Sequence, residues 1–130
     1  MNQWTQLTLT RRVTEVGSRQ RNQPAPPWVV FEDLCDPTRQ PVRPWLHLLD
    51  DEVAPTVVES EGPHRVVWSS LWLTRPDARV QFDLSPADGG TDLRWTLLVD
   101  EPLPDAGLTR HMCRRIGELI NANLRFTYGQ

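Results

Sequence analysis

The chain has 130 residues, a mass of 15.0 kDa and a net charge of −3, and all 14 of its basic residues are arginine. This length predicts one domain over residues 1–130 and excludes most multidomain enzymes. Because the positive charge is dispersed and outnumbered, nucleic acid is not an expected partner.

The cysteines and the hydropathy pattern bear on the cellular compartment. Cys35 and Cys113 are too few and too far apart for a disulfide framework. No run of about 18 apolar residues occurs, and residues 1–10 lack the basic and apolar segments of a signal peptide. These features predict a cytoplasmic protein with reduced thiols and no membrane insertion.

The first third of the chain predicts a strand, a loop and a short helix. Alternating apolar and polar residues predict a strand over 3–13. Residues 14–23 are polar and contain a glycine, so we expect a loop there. Two prolines suit the first turn of a helix over 27–35, and a second short helix or turn is expected at 38–43.

The middle of the chain consists of short apolar runs separated by turn residues such as EGP at 61–63 and PADGG at 86–90. The predicted strands cover 45–49, 56–60, 64–72, 78–85 and 91–100. Connections this short favour an antiparallel meander.

The apolar period changes to 3.6 residues from 105 to 125, which predicts one long amphipathic helix with Asp105 as its N-cap. Asn123 falls near the centre of the apolar stripe and is expected to point toward the sheet. The stripe itself comprises Leu108, Met112, Ile116, Leu119, Ile120 and Phe126.

This order predicts an α+β helix-grip fold, in which a curved antiparallel sheet wraps around the C-terminal helix, with two short helices after strand 1. The segments PPWVVFEDLCDPTRQPVRPW at 26–45 and VQFDLSPADGGTDLRWTL at 80–97 resemble the helical opening and the penultimate hairpin of one family. That family is the START-like superfamily, also called SRPBCC or Bet v 1-like, and in particular its bacterial polyketide cyclase/dehydrase-like members. The resemblance implies a cavity between the sheet and the terminal helix.

Candidate ligand-binding residues follow from this arrangement. Trp side chains on strands suit planar or lipidic ligands, although they also suit a plain core. A buried Asn123 amide would orient a ligand or bond a sheet carbonyl. Arg115 would pair with a ligand carboxylate or cover apolar surface with its head in water. The predicted set is Trp68, Ser70, Phe82, Trp95, Leu97, Met112, Arg115, Ile116, Leu119 and Asn123.

The remaining motifs favour neither a metal nor a cofactor. His47, His64 and His111 fall on different predicted elements, and no carboxylate has a spacing that would orient His111. The acidic run at 50–52 is typical of a solvated turn. No nucleophile elbow or phosphate loop occurs, so no catalytic residue is assigned.

The expected function is the binding of a small hydrophobic or aromatic molecule in the cavity between the sheet and the C-terminal helix. One alternative is an aromatase/cyclase-type enzyme that acts on a polyketide-like substrate. Another is an interaction module resembling the activator domains of the Hsp90 ATPase. Catalysis and homodimerisation are both left open.

Overall fold

The computed structural model describes residues 12–39 and 44–129. The elements are β1 Val13–Gln23, α1 Pro27–Cys35, β2 Val57–Glu61, β3 Arg65–Trp68, β4 Arg79–Ala87, β5 Gly90–Asp100, α2 Ala106–Gly117, a π-helical segment Glu118–Leu124, and α3 Arg125–Thr127. The last three follow one another without a break and together form the C-terminal helix.

The five strands of the described residues form one curved antiparallel sheet in the order β1-β5-β4-β3-β2. The predicted α+β helix-grip fold is confirmed. Hairpins join β2 to β3 and β4 to β5, and the two central pairs align Val66 with Phe82 and Phe82 with Trp95. Side chains at these paired positions share one face, which is the face covered by helices.

The first strand differs from the prediction. Residues 14–23, which we expected to form a loop, belong to β1 and pair with β5 from Val13↔Asp100 to Gln23↔Thr91. The sequence of β1 does not alternate between apolar and polar residues. Gly17, Arg19 and Arg21 occupy positions on the same face of the sheet as the buried apolar side chains of β5. The strand predicted over 3–13 lies outside the described residues, except for Arg12 and Val13.

Helix α1 has the predicted bounds, and the strands at 56–60, 78–85 and 91–100 are confirmed within two residues. The strand predicted over 45–49 is wrong: this segment is irregular, and Trp45 stacks on Trp68 with ring centroids 6.0 Å apart. The strand predicted over 64–72 ends at Trp68. Residues 37–39 form a turn, and the rest of the second short helix predicted at 38–43 lies outside the described residues.

The C-terminal helix begins as predicted, because the Asp105 carboxylate accepts a hydrogen bond from the Leu108 N–H at 2.7 Å. The π-helical segment then changes the register of the apolar stripe, since a wider turn accommodates extra residues. Leu124 takes the core position, while Asn123 is half-buried and Phe126 is 59% exposed. The prediction that Phe126 lies on the stripe is therefore wrong.

Helix α1 and the C-terminal helix both pack on the covered face of the sheet. Trp68 Nε1 donates to the Leu34 carbonyl at 2.7 Å, which joins β3 to α1. The Tyr128 hydroxyl donates to Asp33 Oδ2 at 2.6 Å, so the chain's end is attached to α1 as well. None of the described helices is long and apolar enough to span a membrane.

Candidate functional site

An open groove of about 820 Å³ lies between β1 and the C-terminal helix, and we call it the β1 groove. Its walls include Arg19 and Arg21 from the strand, and Arg110, Cys113 and Arg114 from the helix. Trp95 of β5 also lines it. The groove thus lies on the covered face of the sheet, at the edge where β1 is the last of the described strands.

The register across the sheet explains why the groove is polar on one side and apolar on the other. Arg19 on β1 pairs with Trp95 on β5. Trp95 pairs with Phe82 on β4, and Phe82 pairs with Val66 on β3. The last three side chains are buried, whereas Arg19 is exposed. The apolar core therefore ends at Trp95, and the guanidinium of Arg19 begins the open part.

The helix approaches β1 closely at one point. A Cβ atom at Gly17 would overlap the Cys113 sulfur, so a side chain there would force the sulfur or the helix to move. Cys113 is half-buried, and burial raises the pKa of its thiol although the nearby Arg19 charge opposes the shift. The thiol is therefore a neutral, space-filling part of the groove at neutral pH.

The groove carries a concentration of positive charge. The guanidinium groups of Arg19, Arg21, Arg110 and Arg114 form no hydrogen bond or ion pair with a described residue. Glu118 also lines the groove, but its Oε1 accepts a hydrogen bond from Arg115 Nη1 at 2.7 Å. An anion in the groove would consequently meet four charged donors.

Two buried polar atoms of the lining residues also lack a partner. Trp95 Nε1 and Asn121 Oδ1 are inaccessible to solvent and form no hydrogen bond with a described residue. An indole N–H can only donate, and an amide oxygen can only accept. Asn121 belongs to the π-helical segment, and such segments occur frequently at functional sites.

The other edge of the C-terminal helix is closed by an ion-pair network. Arg115 donates to Glu52 Oε2 at 2.7 Å through Nε and to Glu52 Oε1 at 2.9 Å through Nη2. It also donates to the His47 carbonyl at 2.8 Å, and Leu49 N–H donates to Glu52 at 2.9 Å. Burial alone would raise the pKa of Glu52, but the hydrogen bonds from Arg115 and Leu49 lower it below its ordinary value.

Glu52 corrects the prediction that residues 50–52 form a solvated turn, because its side chain is fully buried. A carboxylate also orients His111: its Nε2 lies 3.1 Å from Asp51 Oδ2. The ligand atoms of Asp51, Glu52 and His111 lie within 4.8 Å of one another. A cation there would compete with Arg115 for both Glu52 oxygens, so the contacts favour an ion-pair network over a metal centre.

The structure distributes the ten predicted site residues over several environments. Arg115 uses four of its five donors within the protein, and the Ser70 hydroxyl bonds to the Trp72 backbone. Asn123 is half-buried, and Trp95 both joins the core and lines the groove. The others lie in the core, namely Trp68, Phe82, Leu97, Met112, Ile116 and Leu119. That this set contacts a ligand stays a prediction.

The sequence reasoning missed the arginines of the groove. Two signals were available: Arg19 and Arg21 alternate with a period of two, and Arg110 and Arg114 are four residues apart on the predicted helix. These spacings indicate a shared groove only if β1 is known to be a strand that lies beside that helix.

No protein-family model and no curated protein matches the sequence of this chain. Solved structures do match. CalU16 from Micromonospora echinospora has a TM-score of 0.51 and 20% identity, with 91% of this chain and 89% of that chain covered. The Aha1 dimer from Colwellia psychrerythraea has a TM-score of 0.59 and 11% identity, covering 81% and 90%. The protein SSP2350 from Staphylococcus saprophyticus has a TM-score of 0.58 and 11% identity, with 89% of this chain and 93% of that chain covered.

These likenesses extend over most of each chain, and at such low identities they show the fold. The chain shares the helix-grip fold with these structures, which is the fold that the sequence predicted. Since one such fold serves many functions, the function has to be argued from the site.

Proposed function

We propose that the protein binds a small hydrophobic or aromatic molecule in the β1 groove, between the sheet and the C-terminal helix. The observation that carries this proposal is the open space beside the otherwise buried Trp95 ring. Its volume of about 820 Å³ falls within the range of roughly 300 to 1,000 Å³ found for small-molecule sites.

The groove is a better candidate than the interior beneath the middle of the helix. There, Phe82, Leu97, Met112 and Leu119 are completely inaccessible to solvent and belong to one continuous core. A ligand among them would have to separate packed side chains, each of which contributes about 1.5 to 3 kcal/mol by burial. The groove takes a ligand without that cost.

Trp95 provides the test. Titration with methyl 2-naphthoate, a flat neutral ester, should change the intrinsic Trp fluorescence and raise the melting temperature. The fluorescence change should be largely lost in Trp95→Phe and retained in Trp28→Phe, because Trp28 is exposed on α1 and does not line the groove.

A second variant keeps the test valid if Trp95→Phe destabilises the core. Ala122 is exposed and lines the groove, so Ala122→Trp should fill the space without disturbing packed residues. Unfolding measurements should then show a stable protein that no longer binds the ester. Undiminished binding in Ala122→Trp would refute the proposed location.

Homodimerisation also stays open. The similar Aha1 structure is described as a dimer, which makes sedimentation of this chain a direct measurement of the same property. The cyclase and Hsp90-activator alternatives have no specific support among the contacts of the described residues.

A further inference from the structure

We infer that the ligand of the β1 groove is an organic oxyanion, with an aromatic or acyl body beside Trp95 and an acidic group held by the groove arginines. This inference rests on the proposed function and adds the chemical class of the ligand. The arginines concerned are Arg19, Arg21, Arg110 and Arg114.

The inference is supported by a comparison of the arginines that pair with another described residue and those that do not. Twelve arginines are described, and eight of them form a hydrogen bond or ion pair with another described residue. These eight are Arg12, Arg39, Arg65, Arg75, Arg79, Arg94, Arg115 and Arg125. The remaining four have no such partner, and all four line the β1 groove. Unpaired guanidinium groups are thus concentrated in one place.

The four unpaired groups come from opposite walls. Arg19 and Arg21 are two residues apart on β1 and share the covered face of the sheet. Arg110 and Arg114 are one turn apart on α2, where like charges destabilise a helix by a few tenths of a kcal/mol. The protein as a whole has a net charge of −3, so this local excess of positive charge opposes the overall balance.

The guanidinium group selects the chemistry of the ligand. It stays charged at any physiological pH, and its planar donors match the two oxygens of a carboxylate or the oxygens of a phosphate. The Trp95 N–H has no acceptor among the described residues and would donate a hydrogen bond to an oxygen or another acceptor. The apolar ring and the charged rim together fit an amphipathic acid.

Three naphthalene ligands of similar size test the inference. We expect 2-naphthoate or 2-naphthyl phosphate to bind the wild-type protein at least about 10-fold more tightly than the neutral methyl 2-naphthoate, as expected for a charge-assisted pair. The two anions distinguish a carboxylate ligand from a phosphate ester. Raising the salt from about 50 to about 500 mM should weaken binding of the anions and leave the ester unaffected.

The matched variants remove the same amount of charge inside and outside the groove. Arg19→Gln combined with Arg21→Gln should lower anion affinity at least about 3-fold and leave ester affinity unchanged, since only Arg110 and Arg114 remain in the groove. Arg12→Gln combined with Arg65→Gln should keep the preference, because these side chains pair with carboxylates elsewhere on the surface. All four side chains are at least partly exposed, so both proteins should fold.

The outcomes separate the two proposals. If the ester binds in the groove as tightly as the anions, the acidic ligand is refuted and the proposed function stands. If the Arg19 and Arg21 variant prefers the anions as strongly as the wild type does, the assignment to this groove is refuted. If none of the three compounds binds, both proposals fail.

Discussion

Two neighbouring residues of the C-terminal helix, Arg114 and Arg115, have opposite environments. Arg115 is buried and donates four hydrogen bonds, two of them to Glu52. Arg114 is exposed, lines the β1 groove and pairs with no described residue. The same side-chain chemistry thus stabilises the fold on one edge of the helix and remains available to a ligand on the other.

The chain segments that flank the helix create this difference. On the closed edge, the irregular segment 44–56 brings Asp51 and Glu52 against His111 and Arg115. On the open edge, β1 presents further arginines where carboxylates would have closed the groove. A ligand site in this fold therefore depends on which charges face the helix.

The largest effect should come from Leu119, which lies on the buried stripe between the two edges. Leu119→Asp would place an unpaired carboxylate in the core and should unfold the domain, with a loss of more than about 4 kcal/mol. Circular dichroism during thermal unfolding measures this.

Leu73→Asp is the control, since Leu73 is 74% exposed and its replacement should change stability by less than about 0.5 kcal/mol. A cooperative transition close to that of the wild type in Leu119→Asp would contradict the packing described for the helix.

A smaller effect should follow from breaking the closed edge. Glu52→Gln removes the charge that faces the buried Arg115 guanidinium and should cost about 3 kcal/mol in urea unfolding. Glu118→Gln is the matched control: its side chain is half exposed, so its pairing with Arg115 should contribute about 1 kcal/mol or less. Equal losses in both variants would show that burial does not distinguish them.

The Glu52 ion pair also has a defined pH dependence. The folded-state pKa of Glu52 lies below its ordinary value of 4.5, so the stabilisation is complete above that value. It should be lost as the pH falls through the folded-state pKa. The difference in unfolding free energy between the wild type and Glu52→Gln should therefore decrease at acidic pH. A difference in unfolding free energy that does not depend on pH would argue against this ion pair.

The smallest effect concerns the width of the open edge. Gly17→Ala should cost about 1 to 3 kcal/mol, because its methyl group would overlap the Cys113 sulfur. Cys113→Ala removes that sulfur, so the double variant should recover most of the loss. Denaturant unfolding of all four proteins gives the coupling energy. Additive losses would mean that the two residues do not limit the approach of strand and helix.

Much of the fold could be predicted because its signals are local. Paired prolines define the start of α1, alternation identifies β4 and β5, and Asp105 caps the C-terminal helix. Strand β1 was not predicted because polar residues face the groove, and because its partners on β5 lie between 68 and 87 positions away in the chain. An alternation of apolar and polar residues cannot reveal a strand when the face that points toward the helix also carries polar residues.

The site was harder to predict than the fold. Trp95 was identified, whereas the groove arginines acquire their role from the pairing of β1 with β5. The burial of Glu52 depends in the same way on Arg115, a partner 63 residues away. Whether a charged side chain is buried in an ion pair depends on partners far away in the chain, and a local sequence pattern does not identify these partners.

The π-helical segment Glu118–Leu124 makes the C-terminal helix tolerant of a change in length. A π-helical turn holds about one more residue than an α-helical turn, so deletion of an exposed residue such as Ala122 would let this segment close as a regular α-helix. The residues beyond the deletion would keep nearly the same orientation, with Leu124 in the core and Tyr128 beside Asp33. Homologous chains that are one residue shorter in this segment should therefore retain both contacts.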